Sequence, residues 1–383
     1  MIQFEKIIHY LLDILSLSPG ELPHRVNGKW DEMLKVAVSL DIYYPIAAWI
    51  LESWDNEIPH SLRNKLVYDL KANEVRNILH ADHIIKLTGL FDKKSIPFLV
   101  LKGGAALVMD IFPAGWRYMS DIDILLRKNQ ANEAFELLQH HGYLPVKGAT
   151  SRAHQLRELR HPNCSGEVDL HTDPYPCLRL QDEETIPSIW DNAVRYEFLG
   201  KTITVPSCAD HAWILMRRKL MVQPLFPRLC DVIELALLAK KEVTIDTGYL
   251  QRLAQKESLS NIISGMSYSC SKYGGMEPFA PMDNEHLRRW EAWSLELRKK
   301  FVHKIKLESP RLRFVVVYFI SPKGFVAKLS FSLWLNKLIG HIDMFDREVP
   351  KETSSFFRIY RLAKFVGTFI LSALEYYFYN IKK

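Results

Sequence analysis

Hydrophobic and polar positions follow two different periods along the chain. In the first and last parts, apolar residues recur every three or four positions, as on one face of a helix. In the middle, short apolar runs and strict alternation, bounded by glycine and proline, indicate strands. The pattern predicts an α+β protein with an N-terminal helical region at 1–92, a core at 93–205 and a helical domain at 206–297, and a change in charge distinguishes a helical tail at 298–383.

The helical regions have recognisable apolar stripes. They predict helices near Ile7–Leu15, Leu34–Leu40, Leu62–Leu90, Ala209–Met221 and Leu225–Leu238. In the third of these, the stripe consists of Ile78, Ile84, Ile85 and Leu87. The N-terminal helices are expected to pack as a layer on the core, and a partner-binding arm is the alternative. In the last helix Arg228 and Asp231 are three positions apart, either as an intrahelical ion contact or within reach of a nucleotide or acceptor.

The core pattern predicts a small sheet with helices. The predicted elements are a strand at Phe98–Leu101, a helix from Ala105, a strand from Ser120 to Leu126, a helix at Asn129–His141, a short strand at Tyr143–Val146, a hairpin of Leu156–Arg160 with Glu167–His171, and a hairpin of Val194–Phe198 with Lys201–Val205.

Lys102, Gly103 and Gly104 separate the first predicted strand from the helix that follows. A strand, a glycine turn and a helix start together favour anion binding, because the first backbone N–H groups of a helix have no partner within it. Arg117, further along, is a fixed cation suited to clamping a phosphate.

Asp121 and Asp123 occupy alternate positions of the next predicted strand. Side chains at i and i+2 share one face of a strand, so both carboxylates project together while Ile122 and Ile124 face the core. Two carboxylates side by side suit a pair of divalent cations that support in-line displacement at phosphorus.

A third carboxylate is expected on the later hairpin. Glu167, Asp169 and His171 alternate with Val168 and Leu170 and therefore share one face. Either Asp169 or Glu167 could ligate the metal or accept the proton of an attacking hydroxyl. His171 could contact the acceptor or a phosphate, or could be a structural histidine.

These motifs, taken together, resemble the DNA polymerase β-type nucleotidyltransferase superfamily across about residues 80 to 210. Within it, an uncharacterised bacterial branch is the most similar, by its Leu-Lys-Gly opening at Leu101, the arginine before Asp-x-Asp, and Val-Asp-Leu-His at Val168. The resemblance implies a core of a small mixed sheet with helices. It also implies transfer of a nucleoside monophosphate from an NTP, such as ATP, to an acceptor hydroxyl, with release of pyrophosphate.

The resemblance also implies roles for individual residues. Asp121, Asp123 and Asp169 would be the catalytic residues and would hold Mg²⁺, as two ions and with Mn²⁺ as a substitute. The nucleotide would be bound by Lys102, Gly103, Gly104 and Arg117. Asp169 is favoured over Glu167 because it lies in the family-like Val-Asp-Leu-His. The acceptor remains open among a small molecule, a peptide or protein, and RNA.

Three other functions fit parts of this pattern. A metal-dependent glycosyltransferase also uses Asp-x-Asp, to hold a nucleotide-sugar, but does not ordinarily need the preceding glycines or a third carboxylate. A toxin that modifies tRNA by nucleotidyl transfer would differ only in its acceptor. A non-catalytic nucleotide-binding module is disfavoured because all three carboxylates are present.

Charge is unevenly distributed along the chain. The 383 residues carry a net charge of +6. Residues 298–383 contain 17 basic and 6 acidic residues, a net charge of +11. This aromatic-rich tail is expected to bind nucleic acid, an anionic membrane surface or an acidic partner, or to form a helical subdomain with solvated lysines.

The cysteine content and the hydropathy of the chain indicate the cellular compartment in which the protein is expected. The 5 cysteines are odd in number and lack metal-ligand spacing, which indicates a reducing compartment. The start of the chain has no basic segment or cleavage site typical of a secretion signal. The apolar stretches of the tail are too short, or are interrupted by Glu375, to span a bilayer. We therefore expect a cytoplasmic protein without a transmembrane segment.

Overall fold

A computed structural model describes residues 30–39, 41–54, 58–147, 155–174, 189–222, 229–241 and 245–256, together with Ser267 and Ser271. The helix predicted near Ile7, the residues Leu225 to Arg228 and the whole basic tail lie outside the described residues. The chain divides into two compact units, one of residues 1–219 with 226–292 and one of residues 220–225 with 293–383.

The described part of the N-terminal region is helical, as predicted. It contains α1 (Trp30–Ser39), α2 (Tyr43–Trp54) and the long α3 (His60–Lys93). The buried face of α3 carries Ile84 and Leu87, as predicted. The prediction is wrong for Ile78, which is 61% exposed.

The buried face of α3 is partly polar. The buried polar residues of this helix are Asn73, Asn77, His80, His83 and Thr88. Since hydrophobic periodicity does not register buried amides and imidazoles, the face was misplaced by part of a turn. Of these, Asn73, His80 and His83 form hydrogen bonds with backbone oxygens of the segments that precede the central strands.

The core is a five-stranded mixed sheet in the order β1-β2-β5-β4-β3. Its strands are β1 (Phe98–Val100), β2 (Asp121–Leu126), β3 (Leu144–Pro145), β4 (Leu159–Arg160) and β5 (Glu167–His171). β2 is antiparallel to β1 and parallel to β5, and β4 is antiparallel to β5. The predicted α+β fold and the predicted hairpin of β4 with β5 are confirmed.

One face of the sheet is covered by helices. Ile122, Ile124 and Val168 pack there in the main apolar core with residues of α3, α4 (Lys102–Val108) and α5 (Ala131–His140). On the opposite face Leu99, Leu101 and Leu125 form a smaller apolar cluster. Because side chains alternate along a strand, Asp121 and Asp123 share this second face with Leu125.

Gly103 and Gly104 lie inside the first turn of α4 and not in a separate turn, because α4 begins at Lys102. A Cβ on Gly104 would lie 2.6 Å from Val100 Cγ1. The glycine therefore lets α4 pack directly onto β1. The helix was predicted to begin only at Ala105, because glycine at a helix start is indistinguishable in sequence from glycine in a turn.

The remaining described elements follow the second half of the core. β6 (Val194–Phe198) and β7 (Lys201–Val205) form the predicted antiparallel hairpin. Three helices follow: α6 (Cys208–Val222), α7 (Leu229–Lys240) and α8 (Thr247–Lys256). Among the described helices, none is long and apolar enough to span a bilayer.

Candidate functional site

The parallel pairing of β2 with β5 brings the predicted carboxylates together. Asp123 is directly opposite Asp169, and Asp121 is opposite Glu167. Both strands project these side chains to the same face, because the alternation of each strand is anchored by core residues such as Ile122 and Val168. Residues separated by more than forty positions in sequence thus form one acidic surface.

Asp123, Asp169 and His171 form a compact cluster in which the potential ligand atoms all lie within 4.8 Å of one another. The Nε2–H of His171 donates to Asp123 Oδ1 at 2.7 Å. Carboxylate oxygens and imidazole nitrogen are the donors that divalent cations accept in proteins. The residues present therefore fit a divalent metal ion.

Lys102 supplies positive charge to this cluster. Its ammonium pairs with Asp123 Oδ1 and lies 3.5 Å from His171 Nε2. Burial alone would raise the pKa of Asp123, but the charges of Lys102 and His171 outweigh burial and hold that pKa well below its usual range. Lys102 has φ +49°, a left-handed backbone that is uncommon for a residue with a Cβ and is often found at functional sites.

Asp169 has the opposite electrostatic environment. Burial, together with the negative charges of Asp123 and Asp121, raises its pKa to about 7. Its Oδ1 is buried and has no hydrogen-bond partner among the described residues. A carboxylate that is crowded by like charges and unpaired is stabilised by a bound cation or by a proton.

Asp121 and Glu167 lie at the edge of the cluster. Asp121 is half-buried and accepts a hydrogen bond of 3.1 Å from the hydroxyl of Ser120. Neither residue belongs to the group whose ligand atoms lie within 4.8 Å, as far as the described chain extends. Of the two candidates for the third carboxylate, Asp169 is therefore the one that faces Asp123.

Arg117 lies beside the first turn of α4. Its Nη2 would be 3.9 Å from a Cβ built on Gly103, and its Nη1 donates to the backbone oxygen of Tyr118 at 3.3 Å. Its Nε is 3.2 Å from Glu234 Oε2 on α7. Burial would lower the pKa of Arg117, but the neighbouring carboxylates, Glu234 first, raise it above its ordinary value.

The segment 113–120, which leads into β2 and carries Arg117, is held by the N-terminal helices. Asn73 Nδ2 donates to the backbone oxygens of Gly115 at 2.7 Å and Arg117 at 3.1 Å. The ring of Tyr118 stacks on that of Tyr44, with centroids 6.0 Å apart. We call residues 113–120 the approach segment.

Sequence reasoning missed the residues that support the site. His80 Nε2–H donates to the backbone oxygen of Met119 at 3.2 Å, and Glu234 pairs with both Arg117 and His211. One signal was available in sequence: Glu234 is a charged residue in the otherwise apolar run Ile233–Leu238. Its partners could not be read from sequence, because they lie on other elements.

A sequence model of an uncharacterised nucleotidyltransferase family matches residues 27–275, about two thirds of the chain. The chain belongs to this family. The protein is therefore a nucleotidyltransferase, and the resemblance drawn from its glycine and aspartate motifs is confirmed. No curated protein sequence matches it.

Solved structures of other nucleotidyltransferases are similar to part of the chain. A lincosamide antibiotic adenylyltransferase, LnuA, with lincomycin bound is 17% identical, with a TM-score of 0.31, over 43% of this chain and 97% of its own. ANT(2″)-Ia in complex with adenylyl-2″-tobramycin is 12% identical, with a TM-score of 0.35, over 47% of this chain and 97% of its own. An antigenic nucleotidyltransferase-like protein from Paracoccidioides brasiliensis is 16% identical, with a TM-score of 0.28, over 49% and 91%. At these scores the likenesses carry no weight for the function of this chain.

Proposed function

We propose that this nucleotidyltransferase moves a nucleoside monophosphate from an NTP to an acceptor hydroxyl in a Mg²⁺-dependent reaction that releases pyrophosphate. The observation that carries the proposal is the register of β2 with β5, which sets Asp123 opposite Asp169 beside Lys102 and the start of α4. Family membership supports the reaction class.

Asp121, Asp123 and Asp169 would hold the metal, as two ions, and the donor atom of His171 lies close enough to take part. Three carboxylates favour Mg²⁺, with Mn²⁺ as a substitute, because both are hard cations that prefer oxygen ligands. Mg²⁺ bound there would polarise the α-phosphate and ease deprotonation of the attacking hydroxyl.

The residues of the chain have complementary tasks in this proposal. Lys102 and Arg117 neutralise negative charge on the phosphates, and the backbone N–H groups of Gly103 and Gly104 face the same anion. Asp169 either ligates the metal ion or accepts the proton of the acceptor hydroxyl, and the pKa of about 7 that burial and the neighbouring carboxylates give this group suits the second task. The acceptor oxygen bonds to the α-phosphorus, the bond from that phosphorus to the bridging oxygen breaks, and pyrophosphate leaves.

The other functions are less consistent with these residues. A glycosyltransferase would not require the third carboxylate, whereas Asp169 faces Asp123 directly. A non-catalytic module would not require an unpaired carboxylate oxygen beside two other acids. A tRNA-modifying toxin uses the same chemistry and differs only in its acceptor.

The test is incubation of the purified protein and Mg²⁺ with each of the four α-³²P NTPs. Separate reactions receive tRNA, a protein extract, a peptide pool or a small-molecule extract. We expect label to enter one acceptor class, with release of pyrophosphate and loss of transfer when EDTA is added. Parallel reactions supply a nucleotide-sugar in place of the NTP, and transfer of sugar without any nucleotidyl transfer would overturn the proposal.

A further inference from the structure

Glu234 is a fully buried carboxylate in an apolar helix, and its burial needs an explanation. Its exposure is 0%, and its neighbours Val232, Ile233 and Leu235 are also buried. Removing a charge from water is strongly unfavourable unless partners replace the lost hydration. A buried ion pair is in itself weak support for a stabilising role.

The two oxygens of Glu234 have different partners from different parts of the chain. Oε1 accepts a hydrogen bond of 2.7 Å from Nε2–H of His211 on α6. Oε2 lies 3.2 Å from Nε of Arg117 in the approach segment. His211, like Glu234, is 0% exposed. The histidine therefore holds one carboxylate oxygen while the other oxygen contacts the arginine.

This ion pair lies on the Nε side of the guanidinium. Arg117 pairs through Nε with Glu234 and through Nη1 with the backbone of Tyr118, while Nη2 lies toward Gly103. Asn73 holds the backbone oxygen of Arg117 itself. A planar guanidinium whose position is fixed before a phosphate arrives binds it with little loss of conformational freedom.

We infer that Glu234 and His211 are positioning residues, which hold the Arg117 guanidinium at the phosphates of the bound NTP. The helices α6 and α7 therefore form part of the nucleotide site. This inference rests on the proposed function, and on the triphosphate as the ligand of Arg117.

The chain offers a matched control for this pair. Lys241 Nζ, just after α7, lies 2.8 Å from Asp110 Oδ2, just after α4, and Asp110 is 87% exposed. This surface pair also links the end of α7 to the chain before the approach segment, and it does not involve Arg117. Asp110→Asn thus removes a link between α4 and α7 while the buried pair stays intact.

The experiment is calorimetric titration of an α,β-methylene NTP analogue with Mg²⁺ into the wild-type enzyme and its variants. We expect Glu234→Gln to weaken binding by roughly tenfold and His211→Asn by roughly threefold, since a charge-assisted contact is lost or loosened. Asp110→Asn should bind as the wild type does. In an Arg117→Ala background, Glu234→Gln should change binding by less than about twofold, because the group that it positions is gone.

The outcomes separate positioning from general structure. An equal loss in the wild-type and Arg117→Ala backgrounds, or no loss in the single variants, would overturn the inference. Thermal unfolding checks that each variant folds. If Glu234→Gln does not fold, His211→Asn tests whether the buried pair positions Arg117. If the wild-type enzyme itself does not bind the analogue, the proposed function fails first.

Discussion

The approach segment is held on two sides by different chemistry. On the α3 side, neutral groups bind its backbone: Asn73 donates to Gly115 and Arg117, and His80 donates to Met119. On the α7 side, a charged group binds one side chain, since Glu234 pairs with the Arg117 guanidinium. The neutral contacts hold the backbone of the approach segment and do not depend on its side chains. The ion pair instead holds one side chain, the Arg117 guanidinium.

The α3 side extends to the second carboxylate strand. His83 Nδ1–H donates to the backbone oxygen of Ser165 at 2.8 Å, and its Nε2 accepts from the hydroxyl of Tyr143 at 2.9 Å. Gly166, with φ +78°, packs against the His80 ring. One helix thus contacts the turns that precede both β2 and β5. We infer that α3 maintains the geometry of the carboxylates, whereas α7 affects nucleotide binding.

The largest effects are expected at the carboxylates themselves. Asp123→Asn and Asp169→Asn keep the side-chain shape but remove a ligand charge, so turnover should fall by at least roughly a hundredfold while the fold is retained. Glu167→Gln, on the same strand and face, should stay within about threefold of wild type. Steady-state rates of pyrophosphate release measure this. A damaging Glu167→Gln with a harmless Asp169→Asn would assign the third carboxylate to Glu167.

Gly166→Ala should be the most destabilising change on the α3 side. A Cβ there would lie 2.3 Å from His80 Cε1, on a backbone with φ +78°. We expect a loss of roughly 2–4 kcal/mol in the free energy of unfolding from overpacking and backbone strain together. Gly200→Ala is the matched control, because φ is +76° and no atom lies within 4 Å of its Cβ. Urea denaturation that gives equal losses at both positions would contradict a packing role for Gly166.

Asn73→Ala should lower stability by about 1–3 kcal/mol, because two backbone oxygens of the approach segment lose their donor. In contrast to Glu234→Gln, it changes the free energy of unfolding more than it changes affinity for NTP. Asn64→Ala is the control, since Asn64 is an exposed residue of the same helix. Urea unfolding compares the two variants. Equal stability of both would show that the hydrogen bonds of Asn73 do not stabilise the approach segment.

The smallest expected effect is a dependence of stability on pH. Burial lowers the pKa of His83 to about 4 and also lowers the pKa of His80. The unfolded chain therefore binds more protons between pH 6.5 and 4, and stability falls as pH falls through this range, by roughly 1–2 kcal/mol at pH 5 for His83. His83→Asn should flatten this slope relative to the control His60→Asn, which replaces an exposed histidine. A slope that is unchanged in His83→Asn would contradict this assignment.

Sequence alone predicted the parts of this site that depend on local alternation. The shared face of Asp121 and Asp123, and that of Asp169 and His171, follow from the two-residue period of a strand. That Asp123 and Asp169 come together was expected only from the family resemblance, because periodicity does not reveal the parallel register of two strands far apart in sequence.

The residues of α3 and α7 that hold the approach segment could not be predicted from sequence, for a different physical reason. The inward face of α3 is partly polar, so an apolar stripe misplaced Ile78. The partners of Arg117 come from α3 and α7, on either side of the core in sequence. Long-range pairs of this kind leave no periodicity in the chain.

Nucleotidyl transfer at the carboxylate pair is tested most directly with α-³²P and γ-³²P NTP in reactions with Mg²⁺ and the acceptor fraction, for the wild type, Asp169→Asn and Glu167→Gln. We expect the α label to enter the acceptor product and the γ label to be recovered in pyrophosphate. Asp169→Asn should abolish both, and Glu167→Gln should leave both nearly unchanged. Transfer of the γ label, its release as inorganic phosphate, or full activity of Asp169→Asn would contradict nucleotidyl transfer at the Asp123 and Asp169 pair.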